Sequence, residues 1–303
     1  MILPPLGRNA ILACAITVAG GCSRSDSNSS TTDGTESPPA TTTAGGAPDT
    51  APPPPASDVY QTTPAERTLN TPGGRADYAY TLLLAEIVTP DGFVRYDRFD
   101  NTELVKRIGL VVRDYAKVPL PDDPKARLAY WCNAYNANVL FQAMMERAKP
   151  GFTSVLDVDG FFDARPITVA GEPMNLNFLE NERIRSMDDP RIHAALVCAA
   201  LSCPPLRDEL FVADRIDEQL DDQCRRWVND TTKNRIEEDT LLISEIFNWY
   251  GDDFEDEAVG GVTGFLKRYA DPDGPLARFL ETHPEPTIEW MPYDWALNQA
   301  AAD

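Results

Sequence analysis

The residues best equipped for covalent or acid–base chemistry gather between Asp189 and Arg207, a segment with one of only 2 histidines and two of the 6 cysteines in the chain. Cys203 stands before Pro204-Pro205. A residue preceding proline is pushed out of the helical region, while proline suits a first helical position. With Leu206 and Leu210 four apart, the spacing predicts a short helix from Pro204 with Cys203 at its N-cap. A thiol there would face free backbone N–H groups and the positive end of the helix dipole, which raises its thiolate fraction. The alternatives are a buried apolar cysteine, or a disulfide to Cys198 in an oxidising compartment.

His193 lies ten residues before Cys203, inside the apolar run Ile192 to Cys198. As a strand this run would put His193, Ala195 and Val197 on one face; as a helix, His193 would align with Leu196 and Val197. The imidazole is then either a hydrogen-bonded core residue or a base within reach of the sulfur, which a strand–turn–helix would permit. Asn133 and Asn136, three apart beside Trp131 and Tyr135, are poor residues for a helix interior. They read as a buried polar cluster, a cleft wall, or ties to a nearby loop backbone. Glu180, Glu182 and Arg183 form a solvated face, unless Glu180 turns inward to orient a histidine. The acidic run Asp252 to Glu257 lacks the alternate ligand spacing and glycine of a calcium loop, so it reads as a solvated turn.

Composition narrows the chemistry. The chain has 303 residues, 48 acidic against 27 basic, for a net charge of −21. That balance argues against a nucleic-acid partner, whose phosphates need clustered Lys and Arg. Two histidines exclude a multi-His metal site and no Cys-x-x-Cys offers a zinc half-site, so no cofactor or metal is expected.

The elements that must position these residues occupy only part of the chain. Residues 1–22 read as an export signal: Arg8 supplies the positive region, Ala10 to Val18 the apolar run, and Ala19-Gly20-Gly21-Cys22 the small residues before a cysteine. Nine apolar residues cover about half of a membrane-spanning helix, so a signal peptide is the better reading. The pattern resembles a bacterial lipoprotein signal, which implies lipidation at Cys22, with Ala19 standing where leucine is usual. Residues 23–58 are rich in Ser, Thr and Pro and contain no Val, Leu, Ile, Met or aromatic residue, so they read as a disordered tether. Five acids and Arg24 fall in the tether and Arg8 in the signal, leaving a net −18 on residues 59–303.

In that domain, the patterning predicts helices over 75–88 (Tyr78, Leu82, Ala85 and Ile87 inward), 104–115, 123–147, 175–185, 214–228, 262–269 and 276–281. It also predicts a short strand at 93–96 and hairpins within 161–174 and 235–243. Asp123-Pro124 is the sharpest start signal, and Leu128, Trp131, Cys132, Tyr135 and Val139 make its apolar stripe. The fold class expected is α+β, a single mostly helical domain with short strands.

Five blocks of residues resemble the domain of unknown function 547 family: Tyr130 to Ala137, Asp189 to Cys198, Ser202 to Leu206, Ile243 to Tyr250, and Tyr293 to Asn298. One departure is Glu180-Asn181, where the family often has histidine after the glutamate. The resemblance implies a papain-like, cysteine hydrolase-like grouping, with Cys203 as nucleophile, His193 as general base, and Asn133 or Glu180 orienting the base or stabilising an oxyanion. The order His before Cys would be rearranged relative to papain.

Two functions follow as expectations. One is an extracytoplasmic, lipid-anchored hydrolase or transferase in the bacterial envelope, acting on amide or thioester bonds and held to the outer membrane or cell envelope through Cys22. The other is a non-catalytic, membrane-tethered binding module with a structural Cys198–Cys203 pair, whose acidic surface meets a basic envelope partner.

Overall fold

Thr71 and Pro72 open the first helix in the way peptide chemistry favours: the threonine side chain accepts from the Gly74 N–H and proline fills the first turn. The computed structural model describes residues 69–301. Residues 1–58, which the sequence suggests are a signal and a tether, therefore lie outside the described residues, Cys22 with them. Helix α1, Pro72–Ile87, buries Ala76, Tyr80, Leu83, Leu84 and Ile87. The inward face expected from the sequence is corrected here, since Tyr78, Leu82 and Ala85 are exposed and, of the residues expected, only Ile87 points inward. The helix carries two apolar stripes, and it is packing on α2, Thr102–Tyr115, that selects one. Asn101 caps α2, accepting from Glu103 N–H at 3.0 Å.

Helix α3, Pro124–Arg147, starts where Asp123 accepts from Ala126 N–H at 2.8 Å. It is the axis of the domain: every residue from Leu128 to Leu140 is buried. A helix enclosed on all sides must satisfy its polar side chains internally, because an unmet buried amide costs about 1–3 kcal/mol. Asn133 does so with the backbone of Phe211, and Asn136 with that of Ala195 and Val197.

A hairpin follows, β1 Ile167–Val169 against β2 Glu172–Met174, turning through Ala170 and Gly171, both at positive φ. Asn175 caps a single α turn, α4 Leu176–Phe178, which widens into a π-helix over Leu179–Ile184. The four-residue helix α5, Ile192–Ala195, carries His193 and then releases the chain into extended backbone at Leu196. Helix α6, Ile216–Val228, packs beside it.

The helix expected from Pro204 is absent. Pro205 gives its carbonyl to the Gln223 side chain, and Leu206 N–H bonds Gly92 O at 3.2 Å, so this stretch is tied to its neighbours rather than to itself. Gly92 sits at φ +84°, where an added side chain would run into Pro205. Cys203 accordingly has no helix dipole behind it.

The chain then builds a three-stranded sheet in the order β3–β4–β5, with β3 Arg235–Glu237 antiparallel to β4 Thr240–Ser244, and β5 Thr287–Met291 parallel to β4. Between β4 and β5 lie α7 Glu245–Trp249, a 3-10 turn Gly251–Phe254, α8 Gly261–Tyr269 and α9 Pro275–Thr282. Their aromatic core centres on Trp227, stacked on Phe247 at 4.4 Å with Phe254 and Phe265 around it. Strands are short and helices dominate: the fold is α+β. Among the described residues no helix is long and apolar enough to cross a membrane.

The closing segment after β5 runs across the domain as a stitch. Leu201 N–H bonds Ala296 O at 2.8 Å, Leu297 N–H bonds Thr153 O at 2.9 Å, and Val94 N–H bonds Asn298 O at 2.9 Å. Three stretches far apart in sequence are thereby held together, and Tyr293 and Trp295 are fixed beside the cysteines.

Candidate functional site

Asn136, buried on α3, donates to Ala195 O at 2.9 Å and accepts from Val197 N–H at 3.0 Å. This amide clamps the exit of α5 and so fixes the segment carrying His193 and Cys198. His193 is almost entirely enclosed, its side chain 2% exposed. Its Nε2 lies 2.8 Å from Oδ2 of Asp253, in the turn after α7. Asp253 is gripped from the other side by Arg185, whose Nε and Nη2 each donate at 2.7 Å. Partial burial pushes the Asp253 carboxyl up, but the hydrogen bonds from His193 and Arg185 outweigh it and hold the group well below the usual carboxylate range. An ionised carboxylate can only accept, so Nε2 carries the hydrogen of that bond. Nδ1 has no hydrogen-bond partner among the described residues.

The imidazole is also held by its faces. Tyr250 packs on it at 4.3 Å between centroids, and the Arg185 guanidinium lies 4.9 Å from the Tyr250 ring. Glu180 accepts from the Tyr250 hydroxyl at 2.6 Å and the Tyr135 hydroxyl at 2.8 Å. Burial, and next the Glu180 charge, push both phenols well above their ordinary pKa, so they remain donors. Glu180 thus acts on the histidine through Tyr250 and makes no hydrogen bond to it.

His193 opens on a cavity of about 300 Å³, shared with Cys198, Cys203 and Glu180 and walled by Trp249, Tyr293 and Trp295. Cys198 and Cys203 are joined as a disulfide. Cys203 Sγ accepts from Cys198 N–H at 2.9 Å, and the Tyr293 hydroxyl lies 3.1 Å from Cys198 Sγ and 3.2 Å from Cys203 Sγ. Burial of that hydroxyl, then Glu180, raises the Tyr293 pKa far enough to keep it protonated. The three aromatic rings pack together, Trp249 on Tyr293 at 4.7 Å and Tyr293 on Trp295 at 4.6 Å. No hydrogen bond joins His193 to either sulfur; the two groups meet across the cavity.

Of the residues predicted from sequence, Cys203, His193 and Glu180 share this cavity, and Asn133 does not. Both halves of the Asn133 amide are taken by Phe211, at 2.8 and 3.1 Å, which makes it a loop tie. Asp253, Arg185 and Tyr293 were missed. In sequence Asp253 belongs to an acidic run that reads as a solvated turn. Its one distinguishing signal was the aromatic residue after it, Phe254, which is fully buried and turns that end of the run inward. Among the described residues no group of three or more His, Cys, Asp or Glu side chains is placed to hold a metal ion.

Fold and site together define a helical α+β domain with a cysteine pair and a carboxylate-supported histidine facing one aromatic-walled cavity. Residues 122–228 match the family described as "Protein of unknown function, DUF547". The match runs from the start of α3 to the end of α6. It takes in His193 and both cavity cysteines, and leaves Asp253 and Tyr293 outside. No curated protein and no solved structure matches the chain.

Proposed function

We propose that the domain is a cysteine-dependent hydrolase or acyltransferase with Cys203 as nucleophile and His193 as general base. One observation carries this reading: His193 has Nε2 tied to an ionised carboxylate and Nδ1 without a partner among the described residues, on the wall of the cavity that holds the sulfurs. In the reduced protein, Nδ1 takes the Cys203 proton as the sulfur attacks a carbonyl carbon, and Asp253 stabilises the imidazolium formed. The Cys198 N–H and Tyr293 O–H are the donors nearest the sulfur, and they serve the developing oxyanion. Imidazolium then protonates the leaving group, and water releases the acyl group from sulfur. Leu156, Phe162, Ile246 and the two tryptophans favour a neutral apolar or aromatic acyl portion. The papain-like grouping implied by the family resemblance belongs to this reading.

The test is a panel of p-nitrophenyl esters and acyl thioesters offered to the reduced protein, with intact-mass detection of an acyl adduct. Adduct at Cys203 and a loss of about 10²–10⁴ in turnover for His193→Gln are expected. Absence of adduct across the panel, in protein shown to carry free Cys203, rejects the reading.

The disulfide favours a second reading, a binding module whose cavity takes an apolar ligand without turnover. It predicts saturable quenching of Trp249 and Trp295 fluorescence that is unchanged in Cys203→Ala.

Both readings keep the domain at a bacterial envelope, tethered through a lipid on Cys22. Cys22→Ala should then move the protein from the membrane to the soluble fraction, and unchanged partition removes the anchor.

A further inference from the structure

We infer that the Cys198–Cys203 disulfide is a redox-active couple that exchanges with a dithiol, and that its reduction is the step that arms the cavity. A structural disulfide stabilises chiefly by closing a loop in the unfolded chain, with a benefit that shrinks as the loop shortens. This one spans a sequence separation of only 5. The loop it closes is already pinned by other bonds: Cys203 N–H to Ala200 O at 3.1 Å, Ser202 N–H to Asp294 O at 3.1 Å, and Asn298 N–H to Ala199 O at 3.0 Å. The domain has two well-filled cores and no need of a staple here.

Its surroundings instead suit exchange. Cys198 is partly exposed and lines the cavity, while Cys203 is 4% exposed. Cys203 Sγ receives the Cys198 N–H and the Tyr293 O–H, the donors that stabilise a departing thiolate. Cys203 also lines a second cavity of about 400 Å³, bordered by Arg226 and Lys233, so the residue stands between two cavities.

The chemistry balances as follows. A thiolate of the dithiol attacks Cys198 Sγ, forming a mixed disulfide and expelling Cys203 as thiolate. The second thiolate of the same reagent attacks its own sulfur in the mixed disulfide and expels Cys198. The dithiol leaves as a disulfide, having given up two electrons. Its two protons end on Cys198 and Cys203. The exchange stands on the geometry of the sulfurs alone; only its consequence for turnover rests on the acyl-transfer reading.

The experiment is iodoacetamide labelling of the folded full-length protein before and after dithiothreitol, read residue by residue by peptide mass spectrometry, with far-UV circular dichroism alongside. Labelling at Cys198 and Cys203 should go from none to nearly complete on reduction, with the spectrum unchanged, and should reverse with oxidised dithiothreitol. In Cys198→Ser, Cys203 should label without reductant, at least about tenfold faster than Cys132. Two results overturn the inference: cysteines that stay bridged until the chain is unfolded, or cysteines that label fully before reductant is added. Ester turnover measured on the same samples separates the two proposals. Reduction without turnover leaves the exchange standing and removes the hydrolase, whereas turnover equal in bridged and reduced protein removes the arming step.

Discussion

Cys132 and Cys224 are packed as tightly as any leucine in the domain, whereas Cys198 and Cys203 stand at a cavity wall. Burial pushes the thiols of Cys132 and Cys224 far up, so neither forms thiolate at neutral pH. Cys132 even lies one residue from Asn133 on α3, in a family-resemblance block as dense as the one holding Cys203. The difference lies in what surrounds each sulfur. The interior pair has van der Waals neighbours, Cys224 adding only a 4.0 Å contact from its sulfur to Arg191 O. The cavity pair has an N–H, an O–H and, across the cavity, an imidazole with an ionised partner.

Breaking that imidazole's support should have the largest effect. Asp253→Asn keeps a hydrogen-bonding group on Nε2 but removes the charge that stabilises imidazolium, and should lower ester turnover by on the order of 10² or more. Turnover within a factor of two of the native protein would reduce Asp253 to a packing residue. Next, Cys132→Ala should cost about 1–2 kcal/mol in urea unfolding, as a small cavity left in α3, while labelling at Cys203 is unchanged. A change in Cys203 reactivity would mean that the two cysteine environments are coupled.

Acid should weaken the native site by a smaller amount. The folded-state pKa of Asp253 is depressed, so its contribution is fully present above the unfolded value near 4 and is lost as pH falls below it toward the folded value. Given its partial exposure, that contribution is of order 1 kcal/mol. Thermal unfolding between pH 6 and 3 should therefore fall more steeply for the native protein than for Asp253→Asn, and parallel curves would contradict the assignment. The smallest effect belongs to Gln142, the counterpart of Asn133 and Asn136 on α3. Both atoms of its buried amide lack a hydrogen-bond partner among the described residues. Gln142→Met should leave stability equal or raise it by about 1 kcal/mol in the same urea assay, whereas Asn136→Leu should lower it.

What the sequence disclosed follows the range of the forces involved. Asp123-Pro124, Asn175 and the Ala170-Gly171 turn are local signals, and each lies where the element begins or turns. The cysteine–histidine segment was legible because its chemistry is written within fifteen residues. The helix after Pro204 fails because Pro205 pushes the residue before it out of the helical region, while Gly92 and Gln223 compete successfully for the backbone. Strand β5 was invisible: Thr287–Met291 shows no apolar alternation and exists through parallel pairing with β4, some forty residues away. Asp253 was hidden for the same reason, being 60 residues from the histidine it holds. An acidic run gives no local sign of which carboxylate turns inward.

The stitch made by the closing segment also has a consequence in time. Tyr293 touches sulfurs 90 and 95 residues earlier in the chain. At ordinary rates of synthesis, on the order of ten seconds separate the appearance of the cysteines from that of the tyrosine and Trp295. Until then the pair lacks its hydroxyl and two of the three rings of its aromatic wall, Tyr293 and Trp295. Contacts of such long range are also the slowest to form in folding. The cavity is therefore closed only by the last residues of the domain to be made.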